Sequence, residues 1–363
     1  MKEIYRVGVI GTGWAVVTPL PTFTSYRRTE VVAICSGRLE RAQEAASRFG
    51  ARLAMTDYHE LVAHPEVDLV YICSPVHLHR EMVLAAADAG KPILCEKPLS
   101  ANAGDGETML RAVESRSLPN IVAFTLRHYP WALEVKRLVE SGYLGQIRQI
   151  GITHFRADPR SERSMDVARA GGGLPPANRT WLHDADLGGG MLGAMGSHYV
   201  DIVRHFFGDY ADLAARTTTW RTQLAGATGE EEAATAEDSF AILATLRNGA
   251  MMTLQFSAVA PVAGDRRIEF VGSEGTIVID GDFRMYTGRA GEPLTEQPIP
   301  APDFSADVAS SHTPRFGRMI EKLISWIETG AEASPNIRDA QACQRVLDAI
   351  KTASATQSVV NLA

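Results

Sequence analysis

Tyr5-Arg6-Val7-Gly8-Val9-Ile10-Gly11-Thr12-Gly13 is an apolar run of strand length that ends in a glycine turn. The β-branched residues in the run read as a buried strand, and the glycines let the backbone turn sharply into the next element. Downstream the same rhythm repeats. Val31–Cys35, Leu69–Cys73, Ile93–Cys95 and Ile121–Phe124 read as further buried strands, separated by the amphipathic stretches Leu39–Phe49, Arg80–Ala89 and Asp105–Arg116. Strands that alternate with helices pair in parallel through right-handed crossovers, so this part is α/β with a doubly wound parallel sheet. The helix Pro130–Glu140 closes it, with Pro130 suited to a first-turn position.

From about Gln146 the pattern changes. Arg148–Phe155, Asp212–Trp220, Ser239–Leu246, Met251–Val259, Arg266–Val271 and Thr276–Ile279 read as strands in series. Such a series implies an α+β domain with a large, mostly antiparallel open sheet. Asn248-Gly249 marks a hairpin, since both residues tolerate positive φ. Gln223–Glu237, rich in Ala, Gly and Glu, reads as a surface loop. Near the C-terminus Thr313 is placed to cap a helix over Pro314–Thr329, and a second helix covers Ile337–Thr352.

With 363 residues the chain exceeds one compact core, so two domains are expected. A net charge of −7 argues against nucleic acid or an anionic membrane as partner, because both need a basic face. No apolar run approaches the roughly 20 residues of a membrane-spanning helix. The N-terminal residues lack the apolar core and small-residue site of a signal peptide, so a cytoplasmic protein is expected. Cys35, Cys73, Cys95 and Cys343 show no metal-ligand spacing. They are expected to be reduced and buried, with no metal bound.

The glycine turn is a dinucleotide signal because of its position: a strand before it, a helix after it, a second strand about 20 residues on. Glycine lets the backbone approach a pyrophosphate, whose charge then sits at a helix N-terminus. Gly11, Thr12, Gly13 and Trp14 form this candidate cofactor site. The third small position of G-x-G-x-x-G is Val16, so Ala15 is the residue left to take the packing role. Pro19 and Pro21 shorten or kink the helix. The second strand ends Cys35-Ser36-Gly37-Arg38, with no acid to grip the ribose 2′-hydroxyl of NAD. Ser36 and Arg38 suit either a 2′-phosphate or ribose hydroxyls, which leaves NAD(H) and NADP(H) both open. Residues 1–127 are assigned to this Rossmann domain, and 128–363 to a substrate-binding and oligomerisation domain.

Leu94-Cys95-Glu96-Lys97-Pro98-Leu99 carries an E-K-P signature. Ser74-Pro75 with His79, Arg127-His128-Tyr129-Pro130, and Gly188-Gly189-Gly190 leading to Gly196-Ser197-His198-Tyr199-Val200-Asp201 accompany it in order. In these motifs the chain resembles the Gfo/Idh/MocA (glucose–fructose oxidoreductase, inositol dehydrogenase) family over residues 5 to about 208. The resemblance implies that Glu96 and Lys97 sit beside the nicotinamide, with a cis peptide before Pro98, and that Ser74 and His79 border the cofactor. Hydride leaves a carbinol carbon only as its hydroxyl proton is removed, so a base must touch that oxygen. Lys97 fits that role if burial beside a cationic ring lowers its pKa. His198 is the second candidate, and Asp201, one helical turn on, is placed to orient it.

One position departs from the family pattern. An aspartate usual four residues before the histidine is replaced by Ala194. Either another residue supplies its contact to the reacting hydroxyl, with His128, Tyr129 and Asp186 as candidates, or the chemistry differs from simple oxidation. Arg148–Arg179 holds six arginines against three acids. By the resemblance this region borders the substrate. Arg156, Arg160 and Arg163 there favour an anionic substituent, or else form a solvated loop or subunit contact. Arg127 and Tyr129 are further substrate candidates, and Trp181 either stacks on a sugar ring or anchors the loop.

The leading expectation is a nicotinamide-dependent oxidoreductase acting on a secondary hydroxyl of a sugar or sugar derivative. The alternative keeps a tightly held cofactor but cleaves an anionic glycoside by transient oxidation, elimination, hydration and re-reduction. A non-catalytic nucleotide sensor is disfavoured because Lys97 and His198 are both present. An open sheet with a second face to cover implies a homo-oligomer, and the family resemblance implies that paired sheets make it a dimer or tetramer.

Overall fold

The computed structural model describes residues 2–157, 180–225 and 230–362. Contacts divide the chain into two units: Met1–His128 with Asp303–Gln344, and Tyr129–Pro302 with Arg345–Ala363.

The first unit holds six strands: β1 (Tyr5–Ile10), β2 (Thr29–Cys35), β3 (Leu53–Met55), β4 (Leu69–Ile72), β5 (Ile93–Cys95) and β6 (Asn120–Val122). All pair in parallel in the order β3-β2-β1-β4-β5-β6. Its helices are α1 (Pro19–Ser25), α2 (Leu39–Phe49), α3 (Tyr58–Ala63), α4 (His79–Asp88) and α5 (Ala103–Glu114). Burial of all of β4, and of β1 and β2 apart from Arg6 and Glu30, follows from helices on both faces, which demand apolar side chains in both directions. Asp57 starts α3 by accepting from His59 N at 2.7 Å, and Asn102 starts α5 by accepting from Asp105 N at 2.9 Å. Strand order reverses between β1 and β4, and such a reversal opens a crevice at the carboxyl ends of the strands.

The second unit begins with α6 (Pro130–Glu140) and β7 (Ile147–Ala157), then α7 (Ser197–Phe207) and β8 (Tyr210–Thr218). A short pair, β9 (Gln223–Ala225) and β10 (Glu231–Ala233), lies inside the segment that reads as a loop in sequence. Next come β11 (Ser239–Leu246), β12 (Met251–Ala260), β13 (Arg267–Gly272), β14 (Gly275–Ile279), β15 (Met285–Arg289) and β16 (Thr295–Gln297). With β17 (Val360–Asn361) they form a nine-stranded sheet, β16-β15-β14-β13-β7-β12-β11-β8-β17. Every neighbour pair is antiparallel except β7 with β12. The hairpin at Asn248-Gly249 forms, but only Gly249 has positive φ. Asn248 instead accepts from Ala250 N and donates to the Phe207 carbonyl.

Helix α7 buries Tyr199, Val203 and Phe206, and the Phe206 ring meets Phe270 of β13 at 5.7 Å. Between β12 and β11 the other set of residues faces outward: Met251 and Leu243 are 51% and 57% exposed, beside Thr253, Gln255 and Ala241.

Two further helices, α8 (Ala306–Ser310) and α9 (Pro314–Thr329), return to the first unit. Phe316, Met319, Ile320, Leu323 and Ile324 form one buried stripe on α9, in the same core as Val7, Val9, Phe23 and Tyr71. Phe316 meets Phe23 and Tyr71 edge-on, each at 5.5 Å. The division therefore differs from a single boundary at 127/128, because the apolar stripe of α9 completes the core of the parallel sheet. Thr313 precedes α9 without a side-chain cap; its carbonyl takes the amides of Phe316 and Gly317. The last helix, α10 (Ile337–Thr356), contributes residues to Gln344 to the first unit and the rest to the second.

Candidate active site

In the first unit the β1 turn is built by contact. Gly11 has φ +104°, its amide donates to the Cys35 carbonyl, and a Cβ there would overlap the Cys73 carbonyl. Gly13 faces open space, with no atom of the chain within 4 Å of where a Cβ would stand. Ala15 is fully buried in the 3-10 turn Trp14–Val16, so it does take the packing role, and Trp14 is 49% exposed. Thr12 and Ser36 hydroxyls meet at 3.1 Å, joining the ends of β1 and β2. Ser36 is buried and Arg38 exposed at the start of α2. A glycine cradle, two hydroxyls and an exposed guanidinium suit a pyrophosphate and an adenosine ribose, so the residues present fit a nicotinamide dinucleotide.

Beyond β4, Ser74 is half-buried and its hydroxyl reaches the Pro75 carbonyl at 3.4 Å. His79 is buried. Its Nε2 stands 3.0 Å from the Ser74 carbonyl and its Nδ1 3.2 Å from those of Pro98 and Leu99. It therefore fastens the β4 loop to the loop after β5, and burial holds its pKa below the ordinary histidine value.

Lys97-Pro98 is a cis peptide. Glu96 accepts from the Tyr71 hydroxyl at 2.8 Å and from the Lys97 amide at 3.2 Å. Burial raises the Glu96 pKa, opposed by the Lys97 charge and the Tyr71 hydrogen bond. Tyr71 does not stand out in the sequence, since it sits inside an apolar strand like any core tyrosine. Arg127 is buried, with Nη1 2.8 Å from Ser334 Oγ and 3.7 Å from Asp339 Oδ2, so it braces the segment after α9.

In the second unit two of the three successive glycines, Gly189 and Gly190, are required by close approach. A Cβ at Gly189 would overlap the Trp181 and Leu182 carbonyls, and one at Gly190, where φ is +116°, would overlap the Glu237 carboxylate. Glu237 also accepts from Leu192 N at 3.0 Å, and burial raises its pKa. The run continues into a π-helical turn, Leu192–Gly196, which contains Ala194 and leads directly into α7. Such turns often mark functional sites. His198 on the first turn of α7 is half-buried, and Asp201 on the same helix is fully buried. Trp181 is half-buried in the turn Trp181–His183.

The Tyr129 ring lies tilted against Phe283 at 4.9 Å, and the Arg266 guanidinium lies 3.6 Å over the same Phe283 ring. The Tyr199 hydroxyl meets His154 Nδ1 at 2.7 Å; burial raises its pKa, and the charges of Arg266 and Arg156 oppose that rise. Burial, then Arg266 and Arg156, push the His154 pKa down to about 3. Arg156 is in this group; Arg160 and Arg163 lie outside the described residues. His154, Arg266 and Phe283 do not stand out in the sequence, because strands far apart in the chain bring them together. Among the described residues no helix is long and apolar enough to cross a membrane, and no group of His, Cys, Asp and Glu could hold a metal ion.

A family profile described as "Oxidoreductase family, NAD-binding Rossmann fold" matches residues 5–124, and one described as "GFO/IDH/MocA C-terminal domain" matches residues 132–278. Levoglucosan dehydrogenase of Pseudarthrobacter phenanthrenivorans is 27% identical across 91% of this chain and 88% of its own. Inositol 2-dehydrogenase of Rhizobium meliloti is 25% identical across 99% of each chain. A solved structure of levoglucosan dehydrogenase in complex with NADH and L-sorbose superposes with a TM-score of 0.86 at 23% identity, over 100% of both chains. Two matched profiles in order, over a parallel sheet with its glycine turn and a mostly antiparallel second sheet, place the chain in the GFO/IDH/MocA family of NAD-binding oxidoreductases.

Proposed function

We propose that this protein oxidises a secondary hydroxyl of a sugar or sugar derivative to a ketone, and runs the reverse reduction. The observation that carries this reading is the E-K-P loop: Glu96 held by the Tyr71 hydroxyl and the Lys97 amide, on a unit that carries the NAD-binding profile. The dehydrogenase names of its relatives, levoglucosan and inositol, support a sugar or polyol as substrate.

Gly11 and Gly13 admit the pyrophosphate, and Thr12, Ser36 and Arg38 take the adenosine ribose with or without its 2′-phosphate. Trp14, Ser74 and His79 shape the rest of the cofactor site, His79 by holding its two loops together. When bound, the nicotinamide supplies the hydride acceptor. Lys97 takes the hydroxyl proton, and the neighbouring Glu96 carboxylate orients the lysine. His198 is the second proton-handling group, with Asp201 fixing its position. A second copy of the chain covers the outer face of the nine-stranded sheet.

The test is turnover of a panel of sugars, polyols and their nitrophenyl glycosides with NAD and with NADP. Reduced cofactor should accumulate in proportion to ketone formed. Lys97→Ala should lower kcat by roughly 10²–10⁴-fold, the usual contribution of a positioned proton-transfer group, with unchanged circular dichroism. Near-normal turnover in that variant would overturn the assignment. Nitrophenol release that requires cofactor yet accumulates none in reduced form would replace it with redox-neutral glycoside cleavage.

A further inference from the structure

The inward-facing rows of β7 and β13 change character along their length. Ile150 and Ile152 on β7, and Phe270 and Ile268 on β13, are buried and apolar. The rows then continue as His154 and Arg156, and as Arg266 just before β13, on the same face by the twofold alternation of a strand. An apolar core face thus ends in two half-buried guanidinium groups and an imidazole. Among the described residues neither Arg156 nor Arg266 has an ion-pair partner, and Arg266 Nε is buried with no acceptor. Arg266 is fixed on two sides, by the Phe283 ring at 3.6 Å and the Gly281 carbonyl at 3.0 Å, and its charge acts on the nearby Tyr199 hydroxyl. That hydroxyl also meets His154 Nδ1 at 2.7 Å, which ties the imidazole into the same group.

Two desolvated like charges repel each other, and unmet guanidinium donors in a low-dielectric setting are costly. Such a pair persists where an anion completes it, and guanidinium forks match carboxylate, phosphate and sulfonate oxygens. The geometry points to an anion-binding subsite in the second unit, formed by Arg156 and Arg266 and braced by Tyr199, His154 and Phe283, which takes the acidic substituent of a sugar substrate. Tyr199 follows His198 directly in α7, so the subsite lies one residue along the chain from a proton-handling group. The assignment of the anion to a substrate rests on the proposed sugar oxidation; the subsite itself does not.

Calorimetric titration of the NAD-loaded protein tests it, with D-glucuronate, D-glucose 6-phosphate and D-glucose 6-sulfate against uncharged D-glucose, and sulfate alone as probe. At least one acidic sugar should bind roughly 100-fold more tightly than glucose, the effect expected of a bidentate, charge-assisted contact. Arg156→Gln and Arg266→Gln should each cut that preference to within about threefold, and sulfate should compete. Should a glutamine variant fail to fold, Arg156→Lys and Arg266→Lys keep the charge and should still lose most of the preference, because a point charge lacks the fork. Equal affinity for acidic and neutral sugars, or a preference that survives these variants, overturns the subsite. Turnover measured on the same sugars separates the two readings. Oxidation of sugars with no preference for charge keeps the oxidoreductase and removes the subsite; arginine-dependent acid binding without any turnover does the reverse.

Discussion

Gly11 leaves no room for a side chain, since its φ of +104° and the Cys73 carbonyl both exclude a Cβ. Gly11→Ala should destabilise the protein by about 3 kcal/mol, from backbone strain plus displacement of the β4 end, read as a lowered urea midpoint. Arg38 is exposed, so its removal leaves packing intact. Arg38→Ala should raise the KM for NADP by roughly tenfold or more and leave that for NAD within about twofold, since only the former adds a phosphate. Equal shifts for both cofactors would remove Arg38 from the 2′-position. Asp68 offers a titration test. Burial pushes its pKa up, but hydrogen bonds from Arg6 and Lys2 outweigh this and bring it down to about 2. The carboxylate therefore stabilises the fold above its ordinary value of 3.8, and the contribution disappears as pH falls from there through about 2. Asp68→Asn should cost on the order of 1–2 kcal/mol at neutral pH, and the gap from the parent protein should close over that acid window.

At the scale of elements, α9 shows what a periodic sequence conveys and what it withholds. Its span, Pro314–Thr329, and its apolar stripe follow from the 3.6-residue spacing. The spacing names the buried face of a helix but not the surface that buries it, so the docking of α9 on the parallel sheet is not legible in the chain. Phe316→Ala should destabilise by about 3–5 kcal/mol, since the ring contacts Phe23 and Tyr71 in a closed core. Loss of NAD affinity in the same variant, measured by fluorescence, should accompany it, because that core underlies β1. The long strands β1, β11 and β12 are legible because their apolar runs are continuous or strictly alternating. Short strands such as β3, β9 and β16 carry three residues each, too few to show a period. The E-K-P loop is legible as contiguous sequence. The Arg156–Arg266 group is only half legible, since 110 positions separate its members and no linear motif joins them.

At the scale of the whole molecule, the outer face of β11 and β12 is exposed among the described residues. Leu243, Met251 and Ala241 lie there with the uncharged Thr253 and Gln255, a composition suited to burial rather than to solvent. The proposed pairing predicts a dimer or tetramer by light scattering, and Leu243→Asp with Met251→Asp should shift it toward monomer. A monomeric parent protein would remove that pairing.

The first unit is made of two pieces of chain, with 174 residues, Tyr129 to Pro302, between them. During synthesis at about 5–20 residues per second, the ribosome therefore spends roughly 10–35 s on the intervening segment before α9 can emerge. Throughout that interval Phe23 and Tyr71 lack their partner Phe316, and the nascent parallel sheet presents an open apolar flank. The nucleotide-binding half is thus translated first but finished late, and its waiting surface is a natural client for chaperones that hold chains on the ribosome.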